Sequence, residues 1–260
     1  MITDFKFGIT ERGDAGLDLS WQNRLNAVVG AIIISKSDSI ELENALLKHS
    51  NKCIYHATCT GLGGTLIEPN VPPFRKKLDH ILRLIDQGFP KNQIIIRIDP
   101  LMPLSWIETM EKNLGVKDYL LTLKAILQFA EDVGINSIRY SYLDFYDSTI
   151  KRLSKLPFKF KSSGLNEDDY IHLEEINKNL IYSACAEFKV PREDRVGCIS
   201  REDLQRLGIE NKYLFTGNSL QRQYCLCPKQ KLELLNKNYQ CDHKCLYCYW
   251  KDKKGKNEKD

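Results

Sequence analysis

Cys241, Cys245 and Cys248 stand near the end of the chain in the pattern Cys-x3-Cys-x2-Cys. Thiolates at these gaps in a loop can converge on one corner of a cubane cluster, satisfying three irons and leaving the fourth open. Their softness favours an iron–sulfur cluster or zinc over harder cations. An open iron is a place for chemistry, as an open zinc position is for hydrolysis. Nine cysteines are present, five of them between Cys225 and Cys248. Clustered in this way, in a chain without a secretory signal, they point to metal or redox chemistry more than to a disulfide framework.

The neighbouring pair Cys225-Leu226-Cys227 leaves several readings open. It could close the fourth iron, bind a second metal, act as a redox pair, or be two buried thiols. A zinc site would take Cys225, Cys227, Cys241 and either Cys245 or Cys248. Cys-x-Cys is an uncommon zinc knuckle, however, and the triplet would leave one thiolate unused. Cys53, Cys59 and Cys198 read as core or incidental thiols, since a buried cysteine behaves as a small hydrophobe. Cys185 reads similarly, raised a little by Glu187 two residues on.

The elements that must position these residues alternate between strand and helix. Strands are expected over Phe5 to Thr10, Val28 to Ser35, Cys53 to Thr58, Gln93 to Ile98, Asn136 to Leu143 and Ile181 to Phe188. Helices are expected over Ser37 to His49, from Pro72-Pro73 through Ile85, from Tyr119 through Val133 to a stop at Gly134, over Thr149 to Leu156, and on the face marked by Leu173, Ile176 and Leu180. Such β-then-α units favour a parallel sheet with crossover helices. About six strands suit an incomplete barrel better than a closed one of eight. The expected fold is α/β, a partial (β/α)6-type barrel of mainly parallel strands with a C-terminal cysteine-rich cluster loop. Residues 1–220 would form the barrel domain, 221–250 the cysteine-rich segment packed on it, and 251–260 a disordered charged tail.

Function in such folds gathers at the C-terminal ends of the strands. Arg97 and Asp99 alternate along one strand end, so both can face the mouth, the first suited to a carboxylate and the second to a ribose diol, or the two can simply pair. Arg139 on the next strand points inward to substrate, cofactor or core edge, and Glu187 is a candidate inward carboxylate. Gly61-Leu62-Gly63-Gly64 could let backbone approach a cofactor or make a tight turn, and Glu68 beyond it could accept from an amine or a ribose, or pair with a basic neighbour. His56 reads as a core histidine and His243 as an exposed loop residue. Tyr249 and Trp250 would pack over the cluster.

Composition is that of an ordinary globular chain, 42% hydrophobic and 28% charged over 260 residues. A net charge of +4 permits an anionic partner such as nucleic acid without arguing for one. The longest apolar run, Ala27 to Ile34, is too short to span a bilayer, and a cytoplasmic protein without membrane partners is expected.

Cys241-x3-Cys245-x-Tyr247-Cys248 resembles the cluster motif of radical S-adenosylmethionine enzymes. That resemblance implies a [4Fe-4S] cluster, S-adenosyl-L-methionine on its open iron, an external electron donor, and a 5′-deoxyadenosyl radical acting on an unknown substrate. It also implies cofactor contacts from Tyr247, and Gly63-Gly64 ahead of Glu68 is similar to the glycine-glycine-acid element those enzymes use for the methionine amine. They carry the motif early, after the first barrel strand, whereas only twelve residues follow Cys248 here.

The arrangement looks like the uncharacterised family DUF1848, with its terminal Cys-x-Cys followed by Cys-x3-Cys-x2-Cys-Tyr. Similar stretches include Thr60-Gly-Leu-Gly-Gly leading to Ile67-Glu-Pro-Asn-Val-Pro72, Arg97-Ile-Asp-Pro100, Cys185-Ala-Glu187 and Gln221-Arg222. A non-enzymatic reading stays beside the enzymatic one: a structural cluster or zinc that organises a nucleic-acid-binding or interaction module.

Overall fold

The computed structural model describes residues 6–156, 160, 165–185, 187, 190, 194–209, 226–236 and 241–249. Cys225, Gln221, Arg222, Ala186, Trp250 and the tail from 251 to 260 lie outside the described residues.

Apolar runs with few polar interruptions make the strands, and β2 to β5 are each followed by a helix that packs on the outer face. The sheet comprises β1 (Phe7–Ile9), β2 (Ala31–Ser35), β3 (Cys53–Thr58), β4 (Ile94–Leu101), β5 (Ser137–Tyr142), β6 (Ile181–Cys185), β7 (Arg195–Val196) and β8 (Lys231–Glu233). Its order is β7-β6-β5-β4-β3-β2-β1-β8, and every neighbouring pair runs parallel. The helices are α1 (Ile40–Lys48), α2 (Phe74–Asp86), α3 (Ile107–Asn113), α4 (Tyr119–Val133), α5 (Asp147–Leu153), α6 (Leu173–Ile176) and α7 (Arg201–Arg206). The result is the expected partial barrel, with eight strands in place of about six. β7 and β8 hold two and three residues, too few for alternation to be read in a sequence. Among the described residues no helix is long and apolar enough to cross a membrane.

The twofold period of a strand sends its side chains into two different cores. Ala31, Ile33, Tyr55, Ala57, Ile94, Ile96 and Ile98 pack outward, together with the buried stripes of α1, α2 and α4. Phe7, Ile9, Ile32, Ile54 and Ile95 turn inward with Cys185, Cys198, Ile199 and Cys227. From α7 and the residues after it, Leu204, Leu207 and Ile209 join that inner core. Arg206 donates to Asn92 O at 2.6 Å and Ser137 Oγ at 2.5 Å, at the start of β4 and β5. α7 therefore plugs the N-terminal end of the barrel, and the C-terminal end is left for a cavity.

The helix boundaries follow local chemistry. Ser39 caps α1 by accepting from Leu42 N–H, and α7 opens with a capping box between Ser200 and Asp203. α2 buries Lys77, His80, Ile81 and Leu84 on one face. β4 runs past Asp99-Pro100 to Leu101 with a register shift after Ile98, so Asp99 belongs to the strand's end rather than to a following turn.

Candidate metal centre

A cavity of about 710 Å³ opens at the C-terminal ends of β2 to β5 and is walled on its other side by the cysteine loop. Cys241, Cys245 and Cys248 all line it, facing Lys36, Arg97 and Asp99 from the strand ends. The cavity lies at the strand ends, where the sequence rule looks for function.

Contacts from several barrel elements fix the loop. Leu246 N–H donates to Ile67 O at 2.9 Å, and Asn70 Nδ2 donates to Asp242 O at 2.7 Å. Arg152 on α5 donates to Leu246 O and Cys248 O, both at 2.6 Å, and Thr149 Oγ1 donates to Tyr247 O at 3.1 Å. His243 Nδ1 meets Asn70 O at 3.1 Å. His243 is 3% exposed, which corrects the expectation of a solvated loop residue. Its Nε2 stands 3.0 Å from Asp14 Oδ2, an ion pair short of an aligned hydrogen bond.

Glu68 is fully buried and lies behind the cavity wall. It accepts from Lys36 Nζ at 2.8 Å, from Thr60 Oγ1 at 2.8 Å and from the Tyr247 hydroxyl. Of the two roles the sequence allows it, pairing with a basic neighbour is the one observed. Burial pulls Lys36 down, but Glu68 and Cys245 outweigh it and leave the ammonium above its ordinary range. Gly63 and Gly64 build the turn beneath: a Cβ on Gly63 would sit 2.0 Å from Pro72 O, and Gly64 takes φ +77°. Neither glycine lines the cavity.

Arg97 and Asp99 both pair with each other and line the cavity. Arg97 Nε donates to Asp99 Oδ2 at 2.8 Å, while Arg97 Nη1 is buried without a hydrogen-bond partner. Thr58, registered beside Arg97 on the adjacent strand, also lines the cavity, and its Oγ1 is likewise buried without a partner. Both groups keep the capacity to donate to an acceptor in the cavity.

Three other candidates stand elsewhere. Arg139 is engaged with Asp203 Oδ2 at 3.2 Å and with the carbonyls of Gly197 and Cys198, outside the cavity lining. Glu187 accepts from Tyr142 N–H at 2.9 Å, again outside the lining. Cys227 is buried in the inner core beside Cys198, away from the triad. His56 is the expected core histidine, with both ring nitrogens buried. Tyr249 does line the cavity and stacks on Tyr146 with centroids 4.5 Å apart.

Cys241, Cys245 and Cys248 bring three soft sulfur donors to one cavity, the ligand type that an iron–sulfur cluster takes. Among the described residues no three His, Cys, Asp or Glu side chains stand at the spacing of a single bound ion. A cubane takes each thiolate on a different iron, so its ligands need not crowd round one point. Burial and the negative charge of Asp14 push the Cys241 thiol up to about 12, and burial with Glu68 pushes Cys245 up as well. Thiols in such a place become thiolates when a metal takes the proton's position.

Lys36 and Asp14 were not visible as site residues in the sequence. Lys36 immediately follows β2, so the strand-end rule could have found it. Asp14 follows β1 through an irregular stretch that carries no motif. Its bonds to Ser35 Oγ at 2.6 Å and Lys36 N–H at 2.6 Å appear only in the fold.

The family model described as a domain of unknown function, DUF1848, matches residues 23–250. The chain belongs to the DUF1848 family. The match runs from ahead of β2 to past Cys248, so this DUF1848 chain carries the strand-end residues and the cysteine loop within one family unit. Neither a curated protein nor a solved structure matches it.

Proposed function

We propose that this DUF1848 protein carries a [4Fe-4S] cluster on Cys241, Cys245 and Cys248 and acts as a radical S-adenosylmethionine enzyme. The observation that carries the reading is the meeting of all three cysteines with the strand-end side chains of the barrel around one cavity. When bound and reduced by an external donor, a cluster with S-adenosylmethionine on its open iron supplies a 5′-deoxyadenosyl radical, which abstracts hydrogen from a substrate.

The chain's own residues have separable tasks in this reading. Arg97 offers its unsatisfied Nη1 to a carboxylate, and Thr58 adds a hydroxyl beside it. Asp99 would accept from a ribose hydroxyl. Lys36 and Tyr247, both braced by Glu68, hold the wall next to Cys245. Tyr249 shields the outer side of the cavity, which keeps water from a reactive centre.

Anaerobic reconstitution with iron and sulfide tests the proposal. A brown protein with about four irons per chain is expected, and each of Cys241→Ser, Cys245→Ser and Cys248→Ser should lose it. Reduction with dithionite in the presence of S-adenosylmethionine should then release 5′-deoxyadenosine. Iron binding without that product would remove the enzyme class and leave a metal-organised module. Failure to bind iron would remove both.

A further inference from the structure

Cys185 ends β6 and Cys198 follows β7 by two residues, and their sulfurs lie 3.4 Å apart. The sequence reads Cys198 as a core or incidental thiol; the structure sets it in the inner core with Cys185 and Cys227 and also in the cavity lining. The backbone at Cys198 is pinned from two sides. Its N–H donates to Cys227 Sγ at 3.1 Å, and its carbonyl accepts from Arg139 Nη1 at 3.3 Å. A Cβ on Gly197 would come within 2.8 Å of Cys227 N, so a glycine is needed for this approach.

The surroundings favour a thiolate on Cys198. Hydrogen bonds from Cys185 and Cys227, with the positive charges of Arg97 and Lys231, outweigh burial and hold it well below the ordinary thiol range. A disulfide needs the two sulfurs at about 2.05 Å, closer than the 3.4 Å contact between them. One sulfur open to the cavity with a second in contact behind it is the arrangement of an attacking and a resolving thiol.

We propose that Cys198 and Cys185 form a thiol–disulfide exchange site served through the cavity, with small disulfides as its substrate. The Cys198 thiolate attacks one sulfur of the incoming disulfide, forming a mixed disulfide and expelling the first thiolate. Cys185, giving up its proton, attacks Cys198 Sγ, closes the internal disulfide and expels the second. The dithiol is oxidised by two electrons and the small disulfide is reduced to two thiols. None of the cysteine-loop thiols takes part, so the site stands or falls independently of the cluster.

The test treats the full chain with 2-hydroxyethyl disulfide, followed by an acid quench and peptide mass mapping. A Cys185–Cys198 cross-link reversed by dithiothreitol is expected. Cys185→Ser should instead trap a mercaptoethanol adduct on Cys198, and Cys198→Ser should slow consumption of the disulfide by at least about tenfold. Cys227→Ser should still form the cross-link, and circular dichroism of each variant separates loss of exchange from loss of fold. Absence of the cross-link from folded wild-type protein, a cross-link through Cys227 in its place, or a bound metal that protects both thiols would overturn the proposal.

Discussion

His243 Nε2 and Asp14 Oδ2 lie 3.0 Å apart, with both side chains 4% exposed, and they join the cysteine loop to the segment that follows β1. Burial pushes the Asp14 carboxyl up. The close imidazole and charge of His243, the Ser35 hydroxyl and the Lys36 N–H reverse this and hold it well below the usual carboxylate range. Removing one member of such a pair leaves a buried charge without compensation. Asp14→Ala should therefore cost about 3 kcal/mol and loosen the cysteine loop. Urea unfolding, together with protease cutting between residues 241 and 249, measures both effects.

Lys36 and Glu68 should behave as one unit. Lys36→Met leaves Glu68 buried with only hydroxyl donors, and Glu68→Gln leaves a buried ammonium without its counter-charge. Each substitution alone should cost about 2–4 kcal/mol, and the double variant less than the sum by more than about 1 kcal/mol. A double-mutant cycle in urea gives the coupling directly. Additive costs would mean that the contact carries no energy.

Acid should weaken the fold through His80. Burial, with the charges of Lys77 and Arg83, pushes its imidazole down to about 2. The neutral ring is satisfied, with Nδ1 at 2.9 Å from Glu43 Oε1 and Nε2 at 3.0 Å from the Tyr55 hydroxyl. The unfolded chain binds this proton near pH 6.5 and the folded chain does not. The stability is complete above that value and is lost as the pH falls toward the folded one. The slope approaches about 1.4 kcal/mol per pH unit, or about 2 kcal/mol between pH 6.5 and 5. Chemical unfolding of wild type and His80→Gln at both pH values should show a flatter dependence in the variant by about that amount.

Gly63→Ala places a methyl 2.0 Å from the Pro72 carbonyl oxygen, and backbone cannot yield as a flexible side chain would. A loss of at least about 2 kcal/mol is expected. Because the same turn carries Glu68, the variant should also retain less iron after reconstitution. Retained stability and full iron content would show that the loop re-forms around the methyl.

Helix α2 and strand β3 could be drawn from the sequence because their signals are local. Phe74, Leu78, Ile81, Leu82 and Ile85 repeat at helical spacing, although the structure leaves Leu82 exposed, and Cys53–Thr58 is an apolar run between turn residues. β7, β8 and α7 could not. They are too short for a period; β7 and β8 form the two edges of the sheet, and α7 closes one barrel end. The cysteine triad was legible because its members are close in the chain. Cys185, Cys198 and Cys227 meet only after β6, β7 and the segment before β8 come together, so the sequence reads Cys227 with Cys225 and does not join it to Cys185 or Cys198.

The amino-acid order by itself determined a run of parallel strands with helical crossovers, a cluster of cysteines near the carboxyl terminus, and membership of a family recognisable from its cysteine spacing. Only the tertiary structure decided which side chains share the cavity. It joined Lys36 and Glu68, brought Asp14 to His243, and kept Arg139 for Asp203. Periodicity and motif spacing are properties of neighbours along the chain. Pairing between buried charges depends on which strands become neighbours in space, and burial sets its energy.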